Sequence, residues 1–482
     1  MRIEMSTKAT QSGNSRPPAA PAHELVVGID LGTTTSGVAV PVNGVPEMVV
    51  LSNGRTTMPS MVAFDPKTGQ VLRGDAAKSQ APSNPTNTFF SIKRILGLDP
   101  SDSRVRTHEK AVPYSLTEDP DGSLMLRCEA IDNGTLYPEE VSAEVLDALL
   151  GEVEQTYGAR PTKAVIAVPA YFSEDQRDAT VQAGMLAGLE VVRLIHEPVA
   201  AALAYGFNLQ EDKTVLVFDL GGGTYDISIL EVGGGVVEVL ATGGEAYLGG
   251  DDWDRALSDW LAMNYLKPAG VPSHLSSVRA NLRGVAEQAK IELSTQEKVV
   301  VRMPGGSGGR SIEVTLTRQL LEEISADLFR KARQAIDIAC WQAGVDLGSS
   351  HLEAEVKKGK QVPKVDKGLS TVPRAKYGNE RRQPISEVLL VGGATRMAAI
   401  KTFVKNMTGI DPKEGSINPD EAVALGAAIQ AGIYQGTVKD LMVLDPWKAS
   451  LMRAFAKREI DQNPDLMFEE EEEENDDDLP AS

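Results

Sequence analysis

The sequence predicts an α/β protein built from two related lobes, and two observations carry that expectation. Short β-rich runs ended by glycine, "LVVGIDLGTTTSGVAV", "KAVIAVPA", "TVLVFDLGGGTYDISIL" and "SEVLLVGGATRM", alternate with helical stretches such as "SAEVLDALLGEVEQTY". Such alternation gives sheets covered by helices on both faces. In addition, Asp30-Leu31-Gly32-Thr33-Thr34-Thr35 and Asp219-Leu220-Gly221-Gly222-Gly223-Thr224 match one another 189 residues apart, each between apolar strands. A strand-turn-strand unit repeated at that distance predicts two lobes, each offering one phosphate-facing hairpin. The length of 482 residues fits, since it exceeds one typical hydrophobic core.

Along the chain, residues 1–23 are rich in Ser, Thr, Ala and Pro with scattered Arg and Lys and no apolar h-region, so they are not a secretory signal. They read as a disordered arm, with a short organelle-targeting segment as the alternative. The first lobe is assigned to residues 24–214 and the second to 215–440. Residues 349–384 interrupt the second lobe with little hydrophobic periodicity, and within 357–382 nine Lys or Arg face two acids. A solvated surface loop is the plainer reading of that run; a docking patch for an acidic partner, or for the chain's own tail, is the other. The Gly-rich "MPGGSGGRS" between "KVVVRM" and "SIEVTL" predicts a hairpin turn. It lacks the Lys-Ser/Thr ending of a Walker A loop. Residues 446–482 end in "MFEEEEEENDDDLPAS", too charged to bury a core and expected to be disordered.

Composition narrows the function classes. The chain is 42% hydrophobic and 24% charged, the make-up of a soluble globular protein. It has no apolar run of about 18 residues, which argues against a membrane span. Cys128 and Cys340 stand alone, without a partner Cys or His at metal-ligand spacing. That pattern fits core packing in a reducing, intracellular compartment rather than a disulfide framework or a zinc site. The formal charge of −20, of which nine negative charges lie in Glu469–Glu474 and Asp476–Asp478, argues against wholesale nucleic-acid binding.

The chemistry concentrates on the two matched hairpins. A phosphate tail needs donors close to the backbone, which glycines permit without a Cβ clash. Gly32, Thr33 and Thr34, and Gly221, Gly222, Gly223 and Thr224, have that character, the threonine hydroxyls adding donors. Asp30 and Asp219, at the strand ends, are placed to hold a hydrated Mg²⁺ through its waters or to orient an attacking water. An ordinary tight turn explains one such hairpin well; it explains a matched pair with matched acids poorly.

Eight segments in order, "GIDLGTTTS", "NPTNTFFSIKRILG", "VPAYFSEDQRDAT", "IHEPVAAALAYG", "FDLGGGTYDISIL", "LGGDDWD", "LLVGGATRM" and "INPDEAVALGAAIQAG", resemble the successive signatures of the 70-kilodalton heat-shock family over roughly Glu24 to Leu444. The resemblance implies an actin-like ATPase fold, two lobes of duplicated ribonuclease H-like sheets around a central nucleotide cleft. It implies that ATP or ADP binds with Mg²⁺, with K⁺ as a further expected ion. Lys93 then corresponds to the lysine touching the terminal phosphate, a point charge suited to a leaving phosphoryl group. Glu197 corresponds to the acid near the Mg²⁺ and the nucleophilic water, and Asp226 and Thr224 to the acid and hydroxyl beside the γ-phosphate. Gly249 and Gly250 of "LGGDDWD" would also face the nucleotide. Glu287, Lys290 and Ser294, at helical spacings of three and four, share one face that in the family grips ribose and base. Gly392, Gly393 and Arg396 would line the other side, the guanidinium stacking on adenine, with Asp420 near the nucleoside. Pro169 and Arg177 resemble a pair that relays nucleotide state to a neighbouring domain. For each of these residues the ordinary alternative is a structural or solvated role, from helix capping to a surface stripe.

The chain departs from the family pattern in places. Ala394 stands where Ser is usual after "VGG", and Tyr247 in "GEAYLGG" stands where His is usual. Neither change removes a charge from the phosphate path, so nucleotide binding is expected to persist and the hydrolysis rate is in question. Leu441 to Asp445 look like the family's apolar interdomain linker, and the 37 residues after Asp445 are too few for a peptide-clamping β-sandwich of about 100 residues. Three readings follow. The first is a slow Mg²⁺-dependent ATPase coupled to lobe opening and closing, regulating protein folding and the stress response with J-domain co-chaperones, nucleotide exchange factors and other chaperones. The second is a catalytically silent nucleotide-binding adaptor. The third and weakest is a small-molecule kinase on the same fold, for which no substrate-pocket motif is found. "KIELS" and "NTFFSIKR" resemble bacterial and plastid members, which points to the chloroplast stroma, with the cytoplasm as the alternative.

Overall fold

The computed structural model describes residues 25–206, 211–233, 236–271, 276–303, 311–345, 347, 384–412 and 417–438. The N-terminal arm 1–23, nearly all of the basic segment 349–384, the turn 304–310, the linker 441–445 and the acidic tail 446–482 lie outside these residues.

Among the described residues, the first part of the chain forms β1 (Val26–Asp30), β2 (Thr35–Val42), β3 (Val45–Met48), β4 (Thr57–Pro59), β5 (Met61–Phe64), β6 (Val71–Arg73), β7 (Thr88–Phe90), β8 (Leu116–Glu118), β9 (Leu124–Arg127), β10 (Thr135–Leu136), β11 (Lys163–Val168) and β12 (Glu190–His196). The second part forms β13 (Lys213–Leu220), β14 (Tyr225–Gly233), β15 (Val236–Glu245), β16 (Lys298–Met303), β17 (Ile312–Thr317) and β18 (Glu387–Val391). The main sheet of the first lobe runs β12-β11-β1-β2-β3, with β4 also on β2; that of the second runs β15-β14-β13-β18.

The repeat seen in the sequence is a repeat of topology. In the first lobe β1 pairs parallel with β11 and antiparallel with β2. In the second β13 pairs parallel with β18 and antiparallel with β14. Both Asp-bearing strands are therefore interior strands, and β1 is buried over its first four residues without alternation, as a strand covered on both faces must be. Asp30 is the last residue of β1, and Asp219 is the penultimate residue of β13, in register with Asp226 on β14. Strands β16 and β17 pair from Lys298↔Thr317 to Met303↔Ile312, flanking the Gly-rich segment as a hairpin requires.

Each sheet packs one face against its own apolar core. The first core gathers Ile29, Val38, Phe89, Leu146 and Leu150 and includes Cys128; the second gathers Phe218, Ile227, Trp253 and Ile336 and includes Cys340. Both cysteines are free and buried. A third core is shared by the inner faces of both sheets and two Ala-rich helices, Glu197–Ala204 and Ala422–Tyr434. Small side chains let these helices meet backbone to backbone. A Cβ on Gly426 would lie 1.8 Å from the Ala200 carbonyl oxygen, well inside any van der Waals contact. That crossing holds Glu197, first residue of its helix, between the two hairpins. Among the described residues no helix is long and apolar enough to cross a membrane.

Candidate active site

A cavity of about 460 Å³ opens between the two sheets, lined by both hairpins and by residues from every segment that carries the family resemblance. The β1–β2 turn is braced from within: the Gly32 amide donates to Ser36 Oγ at 3.2 Å, and Ser36 Oγ lies 2.8 Å from Ser60 Oγ. The second turn closes on itself, the Gly221 amide donating to the Thr224 carbonyl at 3.0 Å. The hairpins touch where a Cβ on Gly222 would lie 2.6 Å from Thr34 Oγ1, so only glycine fits there. Thr34 Oγ1 is buried at this contact with no hydrogen-bond partner in the protein, a polar group left for a ligand or a water to satisfy.

Charge gathers at the floor of the cleft. Lys93 Nζ donates to Glu197 Oε1 at 2.5 Å, each side chain only 9% exposed. Lys93 is delivered by one 3₁₀ turn, Ile92–Arg94, whose preceding residue Ser91 adopts a left-handed conformation at φ 57° and is buried. A non-glycine residue held there costs about 1–2 kcal/mol. Asp30, Asp219 and Asp226 complete the cluster. Burial, reinforced by Glu197 and Asp420, pushes the Asp30 carboxyl up to about 7 despite the pull of Lys93. Burial together with Glu197, Asp226 and Asp30 holds Asp219 well above the carboxylate range. Asp226 is raised likewise by burial and Glu197, against Lys93 and hydrogen bonds from Tyr171 and Thr224. Burial tends to discharge Lys93, but Glu197 and Asp30 outweigh it and hold its pKa above the normal value. Four acids facing one lysine have unmet demand for positive charge, which is what a site for a metal-bound polyphosphate needs. Among the described residues no group of three or more His, Cys, Asp or Glu side chains is placed to hold a metal ion.

The opposite end is more exposed. Lys290 Nζ donates to Asp254 Oδ2 at 2.8 Å and to the Gly250 carbonyl at 3.0 Å. Glu287 Oε1 lies 3.3 Å from Lys78 Nζ of the first lobe, an exposed ion pair across the cleft. Arg396 is held by Asp420 Oδ2 at 2.7 Å and by Asn418 Oδ1. Gly250, Gly392, Gly393 and Ala394 complete this wall.

The cleft thus brings together Asp30, Gly32, Thr33, Thr34, Lys93, Glu197, Asp219, Gly221, Gly222, Thr224, Gly250, Glu287, Lys290, Gly392, Gly393, Arg396 and Asp420. Four expected residues are not part of its lining. Asp226 borders a separate water-sized cavity with Tyr171, Glu197 and Asp219. Ser294 Oγ donates to the Lys290 carbonyl at 3.2 Å and faces a small adjoining cavity. Gly223, within the second hairpin, faces the first lobe, where a Cβ on it would lie 2.9 Å from Arg94 Nη2; Gly249 backs the same hairpin, where a Cβ would lie 2.5 Å from the Gly222 carbonyl oxygen. Pro169 lines the cleft, and Arg177 Nη2 lies 3.4 Å from Nε2 of His196, the residue before Glu197. Sequence reasoning missed Asp254, Arg94, Tyr171 and Ile291, all of which line the cleft. Asp254 could have been found: on the helix Gly250–Leu261 it stands four residues after Gly250 and so shares its face.

A family profile described as "Hsp70 protein" matches residues 26–368 and 369–464. Among curated proteins, the chain is 42% identical over 431 residues to a "Chaperone protein dnaK" of Cyanidioschyzon merolae, covering 88% of this chain and 64% of the relative. It is 42% identical over 434 residues to "Heat shock 70 kDa protein 6, chloroplastic" of Arabidopsis thaliana, covering 89% and 55%. It is also 42% identical over 434 residues to "Stromal 70 kDa heat shock-related protein, chloroplastic" of Pisum sativum, covering 89% and 56%. The chain therefore spans between about half and two thirds of the length of the curated relatives it matches.

Proposed function

The chain belongs to the Hsp70 protein family, and on that premise we propose that its cleft binds ATP with Mg²⁺, hydrolyses it slowly, and couples turnover to opening and closing of the two lobes. The observation that carries this reading is the buried Lys93–Glu197 pair set among Asp30, Asp219 and Asp226 at the ends of two duplicated glycine hairpins.

The amides of Thr33, Thr34 and Gly222, with the threonine hydroxyls, cradle the phosphate chain, while the Gly32 and Gly221 amides hold the two turns in shape. When bound, Mg²⁺ supplies charge neutralisation to the phosphates and holds waters that Asp30 and Asp219 accept from. Lys93 neutralises charge developing on the transferred phosphoryl group. Glu197, fixed 2.5 Å from Lys93, orients the attacking water, and Asp226 and Thr224 support it from the second hairpin. Glu287 and Lys290 grip the ribose, and Arg396, braced by Asp420, stacks on the base. K⁺ is a further ion for the same carboxylates. Because hydrolysis changes what bridges the two hairpins, its output is the relative position of the lobes.

Acting with J-domain co-chaperones and nucleotide exchange factors, the chain would serve protein folding. The plastid names of several relatives support the chloroplast stroma as its compartment. The test is single-turnover hydrolysis of radiolabelled ATP with Mg²⁺. Slow conversion to ADP that disappears in Lys93→Ala and Asp219→Asn supports the reading. Binding without turnover would leave only the adaptor.

A further inference from the structure

Beyond the residues that meet the nucleotide in this reading, the phosphate end of the cleft carries a contact that no motif accounts for. Tyr247, between β15 and the helix Gly250–Leu261 of the second lobe, donates its hydroxyl to the Arg104 carbonyl of the first lobe at 2.6 Å. The guanidinium of Arg94 lies over the same ring, 4.6 Å from its centroid. Arg94 Nη2 in turn donates to the Gly223 carbonyl on the second phosphate hairpin. Arg94 Nε is buried without a partner, so the guanidinium is fixed by the tyrosine face and one carbonyl.

Both anchors in the first lobe are themselves braced. Arg94 is the residue after Lys93, in the same 3₁₀ turn. Arg104 is the second residue of the helix Ser103–Ala111, which is capped by Asp102 accepting from the Arg104 amide and pinned through the buried His108, whose Nε2 lies 2.7 Å from the Tyr114 hydroxyl. Tyr114 donates to the Phe90 carbonyl at 2.6 Å, so its one proton is used and His108 Nε2 is the donor in that pair. The network joins the Arg104 helix to the segment that carries Lys93 and Arg94.

We infer that Tyr247 is a positioning residue that clasps Arg94 across the phosphate end of the cleft and thereby sets how slowly bound nucleotide leaves. The inference rests on the nucleotide-site reading above. It is particular to this chain, because Tyr247 stands where the family pattern has His. A phenol reaches further than an imidazole and offers a six-membered face to the guanidinium. Its ring is half-buried, and burial keeps the hydroxyl protonated, as a donor, throughout the neutral range.

The test measures release of a fluorescent ADP by stopped flow in the 482-residue chain and in Tyr247→Phe, Tyr247→Ala, Arg94→Gln and the double variant Tyr247→Ala/Arg94→Gln. Tyr247→Phe keeps the ring and loses one hydrogen bond, so release is expected to quicken about fivefold. Tyr247→Ala also loses the ring and is expected to quicken it on the order of 30-fold. Because only the ring–guanidinium contact is shared, the double variant should release faster than either single variant but by less than the product of their separate effects. A second readout needs no nucleotide: the distance distribution between spin labels at the exposed Asn133 and Gln296 should broaden in Tyr247→Ala. Release at the parental rate in Tyr247→Phe and Tyr247→Ala, or an unchanged spin-label distribution, overturns the clasp. A parental chain that binds no fluorescent ADP would instead overturn the nucleotide site, and the spin-label measurement would still decide the clasp.

Discussion

Replacing Asp30 by Asn should stabilise the nucleotide-free chain, and increasingly so as pH rises. Asp30 titrates near 3.8 when unperturbed and is pushed up to about 7 in the fold, chiefly by burial. Its folded pKa is raised, so its favourable contribution is complete below about pH 4 and is lost as pH climbs through about 7. At about 1.36 kcal/mol per unit, linkage gives a penalty of roughly 1.7 kcal/mol at pH 5 and roughly 4 kcal/mol at pH 8. The amide of Asn does not ionise and avoids both. The assay is scanning calorimetry of parent and Asp30→Asn in EDTA at pH 5 and pH 8. The variant's advantage should grow by about 2–3 kcal/mol between the two, on the order of 5 °C in midpoint. Adding Mg²⁺ and ADP should favour the parent instead, because the cation then meets the charge. An advantage that does not grow with pH, or a variant less stable at pH 8, would refute the electrostatic account of the cluster.

Lys93→Met leaves Glu197 buried without its cation and should cost about 3–5 kcal/mol at pH 8, less at pH 5 where the neighbouring Asp30 carboxyl is protonated; urea denaturation at the two pH values measures both. Gly426→Val drives a side chain into the Ala200 carbonyl, 1.8 Å from the first added carbon, and should destabilise by about 3 kcal/mol; a denaturation midpoint unchanged from the parent would contradict the close helix crossing. Asp254→Asn leaves Lys290 without the carboxylate 2.8 Å away. It should weaken ADP about tenfold while sparing inorganic tripolyphosphate, a split that competition titrations read directly.

The fold was legible wherever buried strands ran without alternation and ended in the same acid-glycine turn. The repeat of Asp30–Thr35 at Asp219–Thr224 foretold a repeat of topology, each Asp strand between a parallel and an antiparallel neighbour. Glu197 and Lys93 were named from their motifs. That they form one buried pair is a property of two segments 104 residues apart, which no local spacing encodes. The same limit hid Tyr247: its departure from the family pattern was visible, but its partner Arg104 lies 143 residues away. Asp254 was passed over because an acid on a helix ordinarily reads as a solvated face, and only the fold buries it against Lys290. The left-handed Ser91 leaves no local signal at all, since serine carries no preference for that conformation.

In the proposed reading the cleft holds a nucleotide by its phosphates between the two hairpins. Isothermal titration of ADP into the chain, with Mg²⁺ and then with EDTA, tests it most directly. One site per chain is predicted, with an affinity that falls at least about tenfold on removing Mg²⁺ and falls again for AMP, which lacks the β-phosphate. Equal affinity for ADP and AMP, or no saturable heat, would contradict it.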